Sequence, residues 1–134
     1  RLGDEADILA VVKSFGYAWK GVIWLWNSEP NFRLHILIGG VAIFLGLLFR
    51  LSLLEWCIIS MCITSVMAAE AFNTSLEKLA DALHPEYHDL IRKSKDISAG
   101  AVLLIALAAF AVGLIIFLPK LWNLIQLILN HPNG

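Results

Sequence analysis

Between Ala6 and Asn27 the large apolar residues Ile8, Val12, Phe15, Trp19, Val22, Ile23 and Trp26 recur every three or four positions, with Lys13, Lys20 and Asn27 on the other side. That spacing predicts an amphipathic helix over 6–27. Its aromatic residues and lysines suit the headgroup layer better than a crossing of the bilayer. Asn27-Ser28-Glu29-Pro30 then predicts a stop and a new start, with Ser28 as N-cap and Pro30 in the first turn. A second helix over 29–49 carries an apolar stretch from Leu34 to Phe49 broken only by His35, so with its polar first turn it reaches the roughly 20 residues a crossing needs.

Arg50-Leu51-Ser52 is so short a connection that the next apolar run must return as an antiparallel neighbour. This run passes through Glu70, Asn73, Glu77 and Asp81 with no Gly or Pro before Pro85, predicting a helix over 53–83 that outlasts the membrane and ends in water. After a polar stretch from His84 to Lys95, a third apolar helix is predicted over 96–118, with small residues from Ser98 to Ala101 for close helix contact. Pro119 is expected to end it, and 120–130 to form a short interfacial helix on the far side. The predicted fold class is an all-α membrane protein of one domain, residues 1–134: one interfacial helix and three membrane helices.

Composition agrees with this reading. A hydrophobic content of 59% and a mean hydropathy of +0.76 are too high for an ordinary soluble core. The net charge of -1 gives no basis for a nucleic-acid partner. Cys57 and Cys62 lie inside an apolar run and read as small helix side chains, and no cleavable signal segment is expected near the acidic start of the sequence. If the first helix and the Glu70 to Asp96 region share one side, that side holds Arg1, Lys13, Lys20, Arg33, Lys78, Arg92, Lys93 and Lys95, against Arg50 and Lys120 opposite. The excess makes the first side, with the N-terminus, cytoplasmic.

The chemistry is concentrated in one stripe. At 100° per residue Glu70, Asn73, Glu77 and Asp81 fall at about 0°, 300°, 340° and 20°, a single helix face. Carboxylates crowded near hydrocarbon repel one another and call for a compensating cation, and carboxylate, amide and water oxygens suit Mg²⁺. The plainer reading is a wet helix end whose acids pair with Lys78, Arg92 or Lys93. Lys95-Asp96 fits either a helix start with a membrane anchor or a cluster that holds a triphosphate. Glu29 and Arg33 are spaced as a surface ion pair, although they stand where two helices meet. Neither a Gly-rich phosphate loop nor a D-F-G element occurs, and Pro85 between His84 and His88 argues for solvated loop histidines rather than a zinc pair. The competing class is a non-catalytic channel or assembly subunit whose acidic stripe lines a polar path.

Three segments carry a resemblance that spacing alone does not. They are Glu70-Ala-Phe-Asn73-Thr-Ser-Leu-Glu77-Lys-Leu-Ala-Asp81, Glu86-Tyr87-His88, and Lys95-Asp96-Ile-Ser-Ala-Gly-Ala-Val. Upstream stand Ser14-Phe-Gly-Tyr17-Ala-Trp19-Lys20-Gly21 and Glu29-Pro-Asn31-Phe-Arg33-Leu-His35. Together these resemble the small prokaryotic membrane diacylglycerol kinases and their undecaprenol kinase relatives, from about Lys13 to Val102. The resemblance implies a homotrimer in the bacterial inner (cytoplasmic) membrane, with active sites shared between protomers, that transfers phosphate from ATP with Mg²⁺ to a lipid alcohol. It implies that Glu77 is the general base, that Glu29 and Glu77 contact the metal, and that Glu70, Asn73, Lys95 and Asp96 are needed for activity or nucleotide binding. Asp81 and Tyr17 join the nucleotide contacts by the same likeness. Ala10 stands where the enterobacterial diacylglycerol kinases have an arginine, and Leu54-Glu55-Trp56 is closer to the Gram-positive, undecaprenol-type branch.

Overall fold

The computed structural model describes the backbone of residues 2–130 and the side chains of residues 7–130. Arg1, counted above among the basic residues of one side, lies outside the described residues, as do 131–134 of the predicted domain. Four helices follow one another among the described residues: α1 (Leu2–Ser28), α2 (Pro30–Leu48), α3 (Leu53–Leu83) and α4 (Asp89–Asn130). Among the described residues there is no strand. All four helices are long and apolar enough to cross a membrane, α1 counted from Asp7. The chain is therefore a membrane protein by the content of its helices.

A single residue, Glu29, separates α1 from α2. Glu29, not Ser28, takes the N-cap position of α2, in an extended conformation and with no side-chain cap bond, because the α1 ladder runs one residue further than the expected stop. Its carboxylate is thereby left for other partners. Pro30 sits in the first turn, where its missing N–H costs nothing. At the other end of α2, Arg50 adopts a left-handed φ of 52° and reverses the chain, while the Leu51 N–H donates to the Gly46 carbonyl at 3.0 Å. Ser52 then starts α3 with a reciprocal capping box: its hydroxyl accepts from the Glu55 N–H at 3.3 Å, and its own N–H donates to Glu55 Oε2 at 2.7 Å.

α3 lies between α2 and α4. Two glycines set its approach to α2: a Cβ at Gly46 would stand 2.7 Å from the Trp56 ring, and one at Gly39 would stand 3.0 Å from Ile63. Against α4, two ion pairs mark the ends of the antiparallel packing, Lys95 Nζ with Asp81 Oδ1 and Lys120 Nζ with Glu55 Oε1, both at 2.9 Å. Nearly equal lengths of α3 and α4 separate the pairs, about 38 Å at 1.5 Å per residue, so the two helices run in register.

α4 departs from expectation at both ends. It begins at Asp89 rather than at 96, because the His88 ring accepts the Leu90 N–H at 3.2 Å and caps the first turn. It also runs through Pro119 as one helix to Asn130, where a stop and a separate 120–130 helix were expected. Proline removes one donor and crowds one carbonyl; flanked on both sides by Leu- and Ile-rich sequence in an apolar helix, that is a local weakness and not an end.

Candidate active site

Few side chains of the single chain are buried, and the polar ones among them cluster. Phe32, Leu51, Ile59 and Val66 are buried apolar residues; Glu70, Asn73 and Thr74 are buried polar ones, with Glu70 only 4% exposed. Along the α3 stripe exposure rises in steps: Glu70 and Asn73 are buried, Glu77 is half-buried and Asp81 is exposed. The stripe is a ramp of about 16 Å from a dry end to a wet one.

At the dry end Glu70 packs against the start of α2. Asn31 and His35 of α2 and the carboxylates of Glu29 and Glu77 all lie close enough to act on its carboxyl group. Asn31 and His35 stand four apart, so one face of α2 delivers both. In the middle, Asn73 Nδ2 donates to Glu77 Oε1 at 3.3 Å, which leaves Asn73 Oδ1 buried with no hydrogen-bond partner. A buried amide oxygen without a partner is costly, and such groups mark places where a further ligand is expected.

Glu29 joins the group from the α1–α2 junction. Its carboxylate meets Lys78 Nζ at 3.5 Å rather than Arg33, and the same ammonium lies 5.7 Å from the centroid of the Trp24 ring on α1. One lysine thus ties α1, α2 and α3 together at the site. At the wet end Lys95 donates to Asp81 at 2.9 Å, with Glu77 and Asp96 near enough to act on its charge.

Glu29, Glu70, Asn73, Glu77, Asp81 and Lys95 are therefore assembled by one chain. Asp96 is exposed and forms no hydrogen bond or ion pair among the described residues. Tyr17 is 69% exposed on α1, where its ring is met by the Lys20 ammonium at 5.7 Å, and it does not join the stripe. The part of Asn31 and His35 beside Glu70 went unassigned in the sequence, although their helical spacing was available as a signal. Thr74, 2% exposed next to Asn73, gave no such signal.

Immediately on the membrane side of the site, an apolar cavity of about 400 Å³ opens between α2, α3 and α4. His35 stands at its edge, and Gly39, Ala42, Cys62, Val66 and Ala109 are among its walls. Among the described residues no three His, Cys, Asp or Glu side chains converge as a ready-made metal cage.

Fold and site together define a helical membrane protein with a carboxylate–amide–lysine centre graded from hydrocarbon level to water. The sequence pattern of the prokaryotic diacylglycerol kinase family matches residues 16–117, and the chain belongs to that family. It is similar to the undecaprenol kinase of Bacillus subtilis, 37% identical over 81% of this chain and 89% of that protein. Similarity to a diacylglycerol kinase of Synechocystis is 38% over 83% of this chain and 64% of that longer protein. To the diacylglycerol kinase of Escherichia coli it is 27%, over 84% and 89%.

Proposed function

We propose that this protein transfers the γ-phosphate of ATP to the hydroxyl of a membrane lipid, diacylglycerol or undecaprenol, at the cytoplasmic surface of the bacterial inner membrane. Family membership supports the reaction class. The observation that carries its assignment to this site is the exposure ramp, because a kinase acting on a lipid needs a place where a hydrocarbon-anchored hydroxyl and a water-borne triphosphate meet. The apolar cavity beginning at His35 gives a lipid lying in it a route for its polar end to the stripe. Lys95 at the wet end supplies a cation for the phosphates.

Glu77 is placed between the two ends. In the proposed step it accepts the proton of the lipid hydroxyl, whose oxygen forms the new bond to the γ-phosphorus as the bond to the bridging β–γ oxygen breaks and ADP leaves. The hydrogen bond from Asn73 holds one Glu77 oxygen, so the other is available for the proton. Glu70, buried with Asn31 and His35 nearby, fixes the dry end. Asp81 orients Lys95 toward the phosphates, and Asp96 and Tyr17 complete the nucleotide contacts from exposed positions.

Glu29, Glu77 and the unpartnered Asn73 Oδ1 are hard oxygen donors and fit Mg²⁺, which keeps several waters and is commonly held by one or two carboxylates plus substrate phosphates. When bound, the ion supplies charge neutralisation on the phosphates. Lys78 adds a second positive charge beside Glu29. The assembly we favour is a homotrimer with the α1 helix in the headgroup layer, which would cover much of the apolar surface that one chain leaves open.

Substitution Glu77→Gln tests the assignment. The catalytic rate should fall by about 10²–10⁴ while oligomeric state and melting temperature are kept, and retained activity would remove Glu77 from the mechanism.

A further inference from the structure

α4 outruns the bundle it belongs to. From Lys95 to Lys120 it rises about 38 Å, already more than the roughly 30 Å of a bilayer's hydrocarbon layer. The residues from Leu121 to Asn130 continue as helix for about another 15 Å, on the membrane face away from the acid stripe. α2 ends and α3 begins at the level of Glu55, so neither accompanies it. The family match stops at residue 117, just before this segment.

The segment has the composition of neither a soluble helix nor a packed one. After Lys120 it has no charged side chain through Asn130. Leu121, Trp122, Ile125 and Leu129 are 39–69% exposed. Asn123, Gln126 and Asn130 fall at about 0°, 300° and 340° on the helical wheel, one narrow stripe, tied by a 3.4 Å hydrogen bond from Asn130 to Gln126. A partner helix covers one seam, whereas the apolar face here occupies most of the circumference. A lipid layer covers such a face, leaving the amide stripe to water. Trp122 would then sit at headgroup level, near Trp56 beside Glu55.

Two features fit the segment for that position. Pro119 has no N–H to give the Ile115 carbonyl, so the helix is weakest where it leaves the hydrocarbon. One residue later, Lys120 is pinned to Glu55, whose other oxygen is engaged in the α3 capping box. We propose that residues 120–130 are a second membrane anchor. In a bilayer the helix, continuous through Pro119 in this structure, would bend at that residue and lie in the headgroup layer of the leaflet opposite the active site, its base fixed by the Lys120–Glu55 pair.

The test uses the full chain in vesicles of phosphatidylethanolamine and phosphatidylglycerol, and no activity measurement. In a Cys57→Ser, Cys62→Ser background, nitroxides at Ile125→Cys and Gln126→Cys should differ. The first is expected to collide mainly with oxygen and the second mainly with a water-soluble nickel complex. High nickel collision at both would mean that the helix stands in water, and spin–spin broadening at position 125 would mean that a second copy covers it; either overturns the proposal. With the native cysteines kept, brominated lipid should quench a component of the tryptophan emission that Trp122→Phe removes. An unchanged quenched component in Trp122→Phe would contradict the anchor independently.

Discussion

Asn73 is the residue where stability and function part company. Its amide donates to Glu77 while its carbonyl oxygen is buried without a partner, an arrangement that costs about 1–3 kcal/mol in an ordinary fold. Asn73→Leu, which keeps the branching of the side chain and removes that unsatisfied oxygen, should leave the melting temperature unchanged or raise it. The same change should lower lipid phosphorylation by about 10² or more, the scale of losing a polar group that acts on reacting atoms. A thermal scan beside an activity assay checks both; a destabilised variant with normal activity would make Asn73 a structural residue only. The stripe was legible in the sequence because helical periodicity places Glu70, Asn73, Glu77 and Asp81 on one face. Burial was not legible. That Glu70 and Thr74 are more enclosed than most of the leucines follows from which face α2 covers, and periodicity within α3 does not reveal that.

At the scale of elements, close approach of α2 to α3 depends on Gly46, whose missing side chain accommodates the Trp56 ring, while Gly40 faces open space. Gly46→Ala should therefore lower stability by about 1–3 kcal/mol, the usual cost of overpacking. Gly40→Ala should be neutral or stabilising by up to about 1 kcal/mol, since alanine favours helix. Unfolding in denaturant of the two variants side by side is the check, and equal effects would contradict the packing described. The extents of α2 and α3 were readable from apolar runs and capping residues, because Pro30, Ser52 and Glu55 act locally. α4 was read too short for the same reason. Pro119 looks like a stop when only its neighbours are counted, and His88 does not look like a cap until its ring is seen accepting the Leu90 N–H.

At the scale of the molecule, one chain supplies both Glu29 and Glu77, with Lys78 on the first and Asn73 on the second. If neighbouring protomers share active sites, as the family resemblance implies, mixed oligomers of Glu29→Gln and Glu77→Gln protomers should recover activity beyond either variant alone. No recovery under verified mixing would mean that each site takes both carboxylates from one chain. The family was legible from the Glu70–Asp81 and Lys95–Val102 segments, since spacing along a helix is preserved in sequence. The lipid was not, because its recognition depends on the three-dimensional shape of the apolar walls.

Phosphate transfer itself tests the central claim. The purified protein is given radiolabelled ATP and Mg²⁺, with diacylglycerol and undecaprenol offered in parallel in mixed micelles. Label is expected in the lipid fraction, dependent on Mg²⁺ and lost in Glu77→Gln, with the better acceptor identifying the lipid. No label in either lipid, from protein shown to be folded and oligomeric, would contradict the assignment and leave the acidic stripe as a non-catalytic polar path.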